Sequence, residues 1–178
     1  MSRRTISIVL TQLSLYFFTS LFTLLPERVL AGTTVSTWGN NSVGQLGNKS
    51  TTDSHTPVPV TGLTTTTAIG GGYYHSLALK PDGTVRAWGN NNYGQLGNGT
   101  SFGSYSAVSV IGLTNIAAVA GGADHSVGLK NDGTVWTWGR NSFGELGNGN
   151  TSDNNIPAQV SSISGITGIS AGGYHTIS

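Results

Sequence analysis

The sequence contains no cysteine, and only 15 of its 178 residues are charged. The missing thiols exclude disulfides, thiolate metal sites, a cysteine nucleophile and a lipoprotein anchor. Charged residues make up 8% of the chain, against about 25% in ordinary soluble domains. The first 28 residues hold Arg3, Arg4, Glu27 and Arg28. From residue 32 onward, Lys49, Lys80, Arg86, Lys130 and Arg140 face Asp53, Asp82, Asp124, Asp132, Glu145 and Asp153, for a net charge of −1. That balance excludes binding nucleic acid or anionic lipid by counterion release. What the sequence has instead is 27 Gly, 23 Thr, 21 Ser and 14 Asn, together 85 residues. These types favour turns, caps and strands over helix interiors. An apolar share of 37% with four Trp argues against disorder, so composition points to an all-β, turn-rich protein.

Residues 1–31 read as a signal peptide. Arg3 and Arg4 form its positive end, Leu13 to Leu25 its apolar stretch, and Val29-Leu30-Ala31 its cleavage site. An uncleaved anchor is the rival, since Ile6 to Leu25 is just long enough to span a bilayer. Gln12 and the scattered Ser and Thr weaken that reading. The expected location is secreted, periplasmic or on the cell surface, with no membrane contact beyond this segment.

The remainder repeats every 50 residues. Trp38, Trp88 and Trp138 fall on this ruler, each followed by Gly, as do Gly72, Gly122 and Gly172, and His75, His125 and His175. Residues 35–84 set over 85–134 share 26 identities without a gap. This divides the body into repeats at 35–84, 85–134 and 135–178, the third incomplete. In each of the first two, an Asp-Gly pair (Asp82-Gly83, Asp132-Gly133) separates alternating segments and predicts a hairpin. Further strands are expected at Val58–Val60 and Val108–Val110, and near Ala68-Ile69, Ala118-Val119 and Gly168-Ile169. Pro57, Pro59 and Pro157 place the valine-type strand late-starting or at an edge. Three or four short strands per repeat make one small sheet, the unit that a propeller stacks radially.

The string HSLALKPDGTVRAWGNNNYGQLGNG (75–99) closely resembles the repeat of the regulator of chromosome condensation family, and the resemblance covers residues 35 to 178. It implies β-propeller blades of a seven-bladed ring. It leaves the activity open, since the family includes a nuclear exchange factor, a secreted β-lactamase inhibitor and bacterial surface proteins. Three repeats fall short of the roughly four blades that closure needs. The sequence also stops at His175-Thr-Ile-Ser178, inside an expected strand. The expectation is therefore an incomplete propeller, the front of a longer one, with assembly from several chains as the alternative.

Positions common to the repeats read as scaffold. The three Trp are expected to pack between blades rather than stack on sugars or bases. The glycines serve tight turns; a phosphate cradle fails for want of a following Lys-Ser/Thr pair and helix. The three His are expected to be structural, bonded to backbone. Zinc needs its nitrogens within about 2.1 Å of one point, which blade geometry opposes. Asp124 and His125 are adjacent on a strand and point apart, so they form no dyad. The oxygen-rich stretch 148–155 lacks the alternation of a calcium loop. No catalytic motif, metal site or cofactor is expected.

Function is expected where the repeats differ: loops 49–55, 99–105 and 149–155, the pairs before each His, and position 86 with its equivalents Ser36 and Trp136. Aromatic residues on such loops are common binding anchors, which makes Tyr73, Tyr74, Phe102, Tyr105, Trp136 and Tyr174 the candidate contacts. The reading is an exported, non-catalytic propeller that binds an unknown protein partner through its loops. The alternatives are a carbohydrate-binding or adhesive surface protein and, more weakly, a regulator like a guanine-nucleotide exchange factor. Self-association enters if the chain is complete.

Overall fold

The computed structural model describes residues 35–178; the expected signal peptide at 1–31 lies outside the described residues. The described residues form twelve strands and no helix, so none is long and apolar enough to cross a membrane.

The strands alternate with tight turns as the Asp-Gly spacing predicts. In the hairpin at residues 80–84, the Lys80 and Thr84 backbones pair (2.9 Å), and the Asp82 carboxylate accepts the Thr84 N–H at 3.0 Å. The Thr84 hydroxyl, Lys80 and the Thr84 N–H hold the Asp82 carboxyl well below the usual carboxylate range, so it caps the turn as an anion. Asp132 repeats the device with Thr134.

Two sheets are complete. The first has the order β3 (Ala68–Gly71), β4 (His75–Leu79), β5 (Val85–Gly89), β6 (Ser104–Ser109); the second runs β7 (Ile116–Gly121), β8 (His125–Lys130), β9 (Val135–Gly139), β10 (Asn154–Gln159). All neighbours are antiparallel. Each is flanked by a half-sheet. β1 (Ser36–Gly39) and β2 (Ser54–Pro59) pair on one side, equivalent to β5–β6, while β11 (Ser170–Ala171) and β12 (Thr176–Ile177) pair on the other, equivalent to β3–β4. Each complete blade thus takes its inner two strands from one 50-residue repeat and its outer two from the next.

β7 packs against β3 of one neighbouring blade and β11 of the other, each the first strand of its sheet. The recurring glycines make room first for the histidine three residues on, whose ring a Cβ at Gly72, Gly122 or Gly172 would strike, and then for the neighbouring blade. A Cβ on Gly72 would lie 2.6 Å from the Gly122 carbonyl oxygen, and one on Gly122 would lie 2.8 Å from that of Gly172. The proline-bearing β2 is an edge strand, as expected, and extends back to Ser54. In the third repeat the inner strand is Ser170–Ala171, paired with Ile177 and Thr176, whereas β3 starts two positions earlier by pairing Ala68 with Leu79 and Ile69 with Ala78.

The core lies between blades. Leu77, Leu79, Val85, Leu96, Val110, Leu113, Ile116 and Trp138 close one cluster between the two complete blades. Val60, Leu63, Ala78 and Trp88 form a second against the first half-blade; Val127, Leu129, Val135 and Val160 form a third beside the last.

Candidate functional site

The interblade joints rest on the recurring polar residues. Trp138 donates its indole N–H to the Gln95 carbonyl at 2.9 Å, and the Ser126 hydroxyl donates to the same oxygen at 2.8 Å. Having spent its proton there, Ser126 must accept from His75, whose Nε2 lies 2.9 Å away. His75 is therefore the neutral Nε2–H tautomer, and burial, with His125 nearby, pushes its pKa down to about 3. Its Nδ1 has no partner. His125 repeats the latch through the Thr176 hydroxyl (3.1 Å), which donates to the Glu145 carbonyl at 2.8 Å. Burial lowers its pKa as well. The expected backbone partner of these histidines is thus a side-chain hydroxyl, because the neighbouring blade presents Ser or Thr one residue past its own histidine. His175, at the last half-blade, is exposed.

The tryptophans divide in the same way. Trp88 and Trp138 are 1% and 0% exposed, whereas Trp38 is 64% exposed. Trp88 bonds the Gln45 carbonyl and Trp138 that of Gln95; both acceptors belong to the preceding unit. Among the described residues no unit precedes Trp38. The loops after β1, β5 and β9 are rigid scaffolds in their own right. Asn91 donates to Asn98, Thr100 and Phe102 and accepts from Leu96 N–H at 2.8 Å, and Asn41 and Asn141 do likewise.

Strand direction puts the turns before each histidine and these long loops at one end of the blades, and the Asp-Gly hairpins at the other. At the loop end the inner turns are linked in series, Tyr73 N–H to the Ala123 carbonyl (3.3 Å) and Ala123 N–H to that of Gly173 (3.0 Å). Tyr73 and Tyr74 meet edge-on at 6.5 Å, and the Tyr73 hydroxyl reaches the Gly173 turn. Tyr174 meets Phe143 edge-on at 5.6 Å. Phe102 stands 82% exposed on the loop after β5. Tyr105 lies farther out, where its ring fills the space over Gly44 of the preceding unit. Trp136 sits at the hairpin end of β9, half-buried beneath Lys130, whose Nζ is 4.0 Å from the ring centre. The candidates therefore do not form one patch: Tyr73, Tyr74 and Tyr174 share the inner part of the loop end, and Tyr105 and Trp136 lie elsewhere.

Between Tyr73 and Tyr174 the structure brings in residues outside the candidate set. The Arg140 guanidinium lies 5.0, 5.7 and 5.9 Å from the rings of Tyr93, Phe143 and Tyr174, and 3.7 Å from the Asp124 carboxylate. Gln95 donates to Asp124 from the other side at 3.2 Å. Burial raises the Asp124 pKa against the opposing pull of Arg140. The signal was present in the repeat: Arg140 replaces Asn40 and Asn90, and Glu145 replaces Gln45 and Gln95, so this blade departs from the others at two paired positions. Chemically the end is an aromatic surface with one internally compensated ion pair. Among the described residues no three His, Asp or Glu converge as metal ligands.

Comparison with known proteins agrees with this architecture. The chain is similar to Prp20p from Saccharomyces cerevisiae, solved in work on its binding to Gsp1p and histones, at 20% identity with a TM-score of 0.68. It is similar to human WBSCR16 at 25% identity with a TM-score of 0.70, and to yeast RCC1 (Prp20) in a structure with Kap60 at 25% and 0.67. These alignments cover 79%, 79% and 82% of this chain but only 38%, 38% and 37% of those, so it spans well under half their length. None of the curated proteins matches it. The family model described as "Regulator of chromosome condensation (RCC1) repeat" matches residues 34–79, 82–129 and 132–178. With three successive matches over its blades, the chain belongs to the RCC1 repeat family and is built as part of a β-propeller.

Proposed function

We propose that this protein is an exported, non-catalytic propeller segment that binds a protein partner through the loop end of its blades. One observation carries the reading: six residues that break the repeat, Tyr73, Tyr74, Asp124, Arg140, Phe143 and Tyr174, gather at that end, while the recurring residues are spent on joints. Aromatic and arginine side chains held on stiff loops lose little entropy on binding and are the usual anchors of protein contacts. The structure of yeast RCC1 with Kap60 supports protein binding as a use of this fold. Export rests on the leader-like residues 1–31.

The test is affinity capture from the compartment that holds the native protein, with purified partner then titrated against variants. Tyr73→Ala/Tyr74→Ala and Phe143→Ala should each weaken binding at least tenfold, hot-spot truncations typically costing about 2 kcal/mol or more. Capture of glycans but no protein, or binding indifferent to these variants, would contradict the reading.

A further inference from the structure

The joint between the two complete blades carries a groove of about 280 Å³ at the loop end. Asn92, Tyr93 and Ser101 of the loop after β5 line one side, and Asp153, Asn154 and Asn155, at the start of β10, line the other. One repeat earlier the equivalent place is occupied by Tyr105. There a Cβ on Gly44 would strike the Tyr105 ring, whereas one on Gly94 would first meet the backbone and Cβ of Asn155. The backbones of the two joints pair alike: the Lys49 N–H donates to the Tyr105 carbonyl at 2.8 Å, and the Gly99 N–H to that of Asn155 at 3.0 Å. The groove is therefore opened by side chains. Ser42, Val43, Gly103, Ser104 and Tyr105 of the first joint stand where the second has Asn92, Tyr93, Asp153, Asn154 and Asn155.

These replacements share one chemistry. Three carboxamides, each both donor and acceptor, stand beside a hydroxyl and a carboxylate. Asp153 spends one oxygen on the Asn141 N–H at 2.8 Å. Its second oxygen, the Asn92 and Asn155 carboxamides and the Ser101 hydroxyl have no protein partner among the described residues. The walls are stiff, because Asn91 ties one loop to Asn98, Thr100 and Phe102, and Asn141 ties the next to Asn148, Asn150 and Ser152. Tyr93 supplies the aromatic ring, with the Arg140 guanidinium 5.0 Å from its centre. This lining is too polar for the well-packed, desolvated pocket that anchors a protein hot spot. A neutral sugar ring matches it. Its vicinal hydroxyls donate and accept as carboxamides require, and its C–H face suits an aromatic neighbour. The volume lies near the lower limit of about 300 Å³ for small-molecule sites, which suits a single sugar unit.

We propose that this groove binds a neutral hexose unit of a glycan. The carboxamides of Asn92, Asn154 and Asn155 and the second oxygen of Asp153 bond its hydroxyls, and Tyr93 covers its apolar face. Asp153 disfavours an acidic sugar. The site is built wholly from the second and third repeats, within blades whose strands are all described. Its ligand differs from the protein partner proposed above, so either can fail without the other.

The experiment uses the native chain, with the methyl glycosides of glucose, galactose, mannose and N-acetylglucosamine as probes, read by saturation-transfer NMR. At least one glycoside should be saturated, most strongly at the ring protons of one face. Asn155→Tyr restores the side chain that Tyr105 supplies in the first joint, and should abolish the signal with an unchanged circular dichroism spectrum. Asp153→Asn keeps the acceptor for the Asn141 N–H but removes the second carboxylate oxygen, and should weaken binding about tenfold. No saturation of any of these glycosides by the wild type, or undiminished binding by either variant, would overturn the proposal.

Discussion

Identical residues at equivalent positions carry different energies here, because each is completed by a neighbouring blade. Trp138 is sealed against Gly97 and Gln95, and Trp38 has no such wall among the described residues. In dilute solution Trp138→Ala should therefore cost about 3–5 kcal/mol, and Trp38→Ala less than about 1 kcal/mol, by urea denaturation. The histidine latch gives a second expectation. The folded-state pKa of His75 is lowered from 6.5 to about 3, so the unfolded chain binds the extra proton between those values. Stability is then fully present above about pH 6.5, falls as pH drops, and levels off below about pH 3, with a total on the order of 5 kcal/mol. His75→Gln should be less stable at pH 7 and should flatten that slope in denaturation curves taken from pH 7 to pH 4. The spacing of the histidines was readable in the sequence. Their hydroxyl partners lie 51 residues away on another blade, at a distance in sequence that only a known blade geometry could interpret.

At the scale of the element, the hairpins and most strands follow from local chemistry. Asp82-Gly83 and Asp132-Gly133 bend the chain, and flanking alternation supplies the strands, so these were legible. The stagger of blade against repeat was not. A period fixes how long a unit is but contains no phase, and the choice to pair β5 with β4 and β6 depends on contacts that span two repeats. Two element-level outcomes follow. Gly97→Ala meets the Trp138 ring at 2.8 Å and Val110 at 2.9 Å, while Gly147→Ala meets only Val160, at 3.5 Å. Both carry the same positive-φ strain, with φ of +62° and +63°, so the difference in their urea midpoints reports the crowding of the filled joint by Trp138 and Val110, and Gly97→Ala should be the less stable. Asn91→Ala removes the clamp on the 92–102 loop. It should leave the sheet intact and bring early cleavage there in limited proteolysis.

For the molecule as a whole, the blades present two chemically unlike ends. The hairpin end carries Lys80, Asp82, Lys130 and Asp132, in which Lys80 and Asp82 pair at 2.9 Å. The loop end carries the aromatic residues around Arg140. Sequence reasoning reached Tyr73, Tyr74 and Tyr174 because they vary before a fixed histidine. It did not reach the Arg140 cluster, whose members come from loops after β5 and β9 and from two inner turns, and whose proximity is a product of blade stacking. The central claim is that partners are met at this loop end. Site-specific photo-crosslinking in the native host tests it most directly, with the reactive group placed at Tyr73 or Phe143 and, on the opposite end, at Asp82 or Asn131. The account predicts protein adducts from the first pair and none from the second. Adducts confined to Asp82 and Asn131 would contradict it.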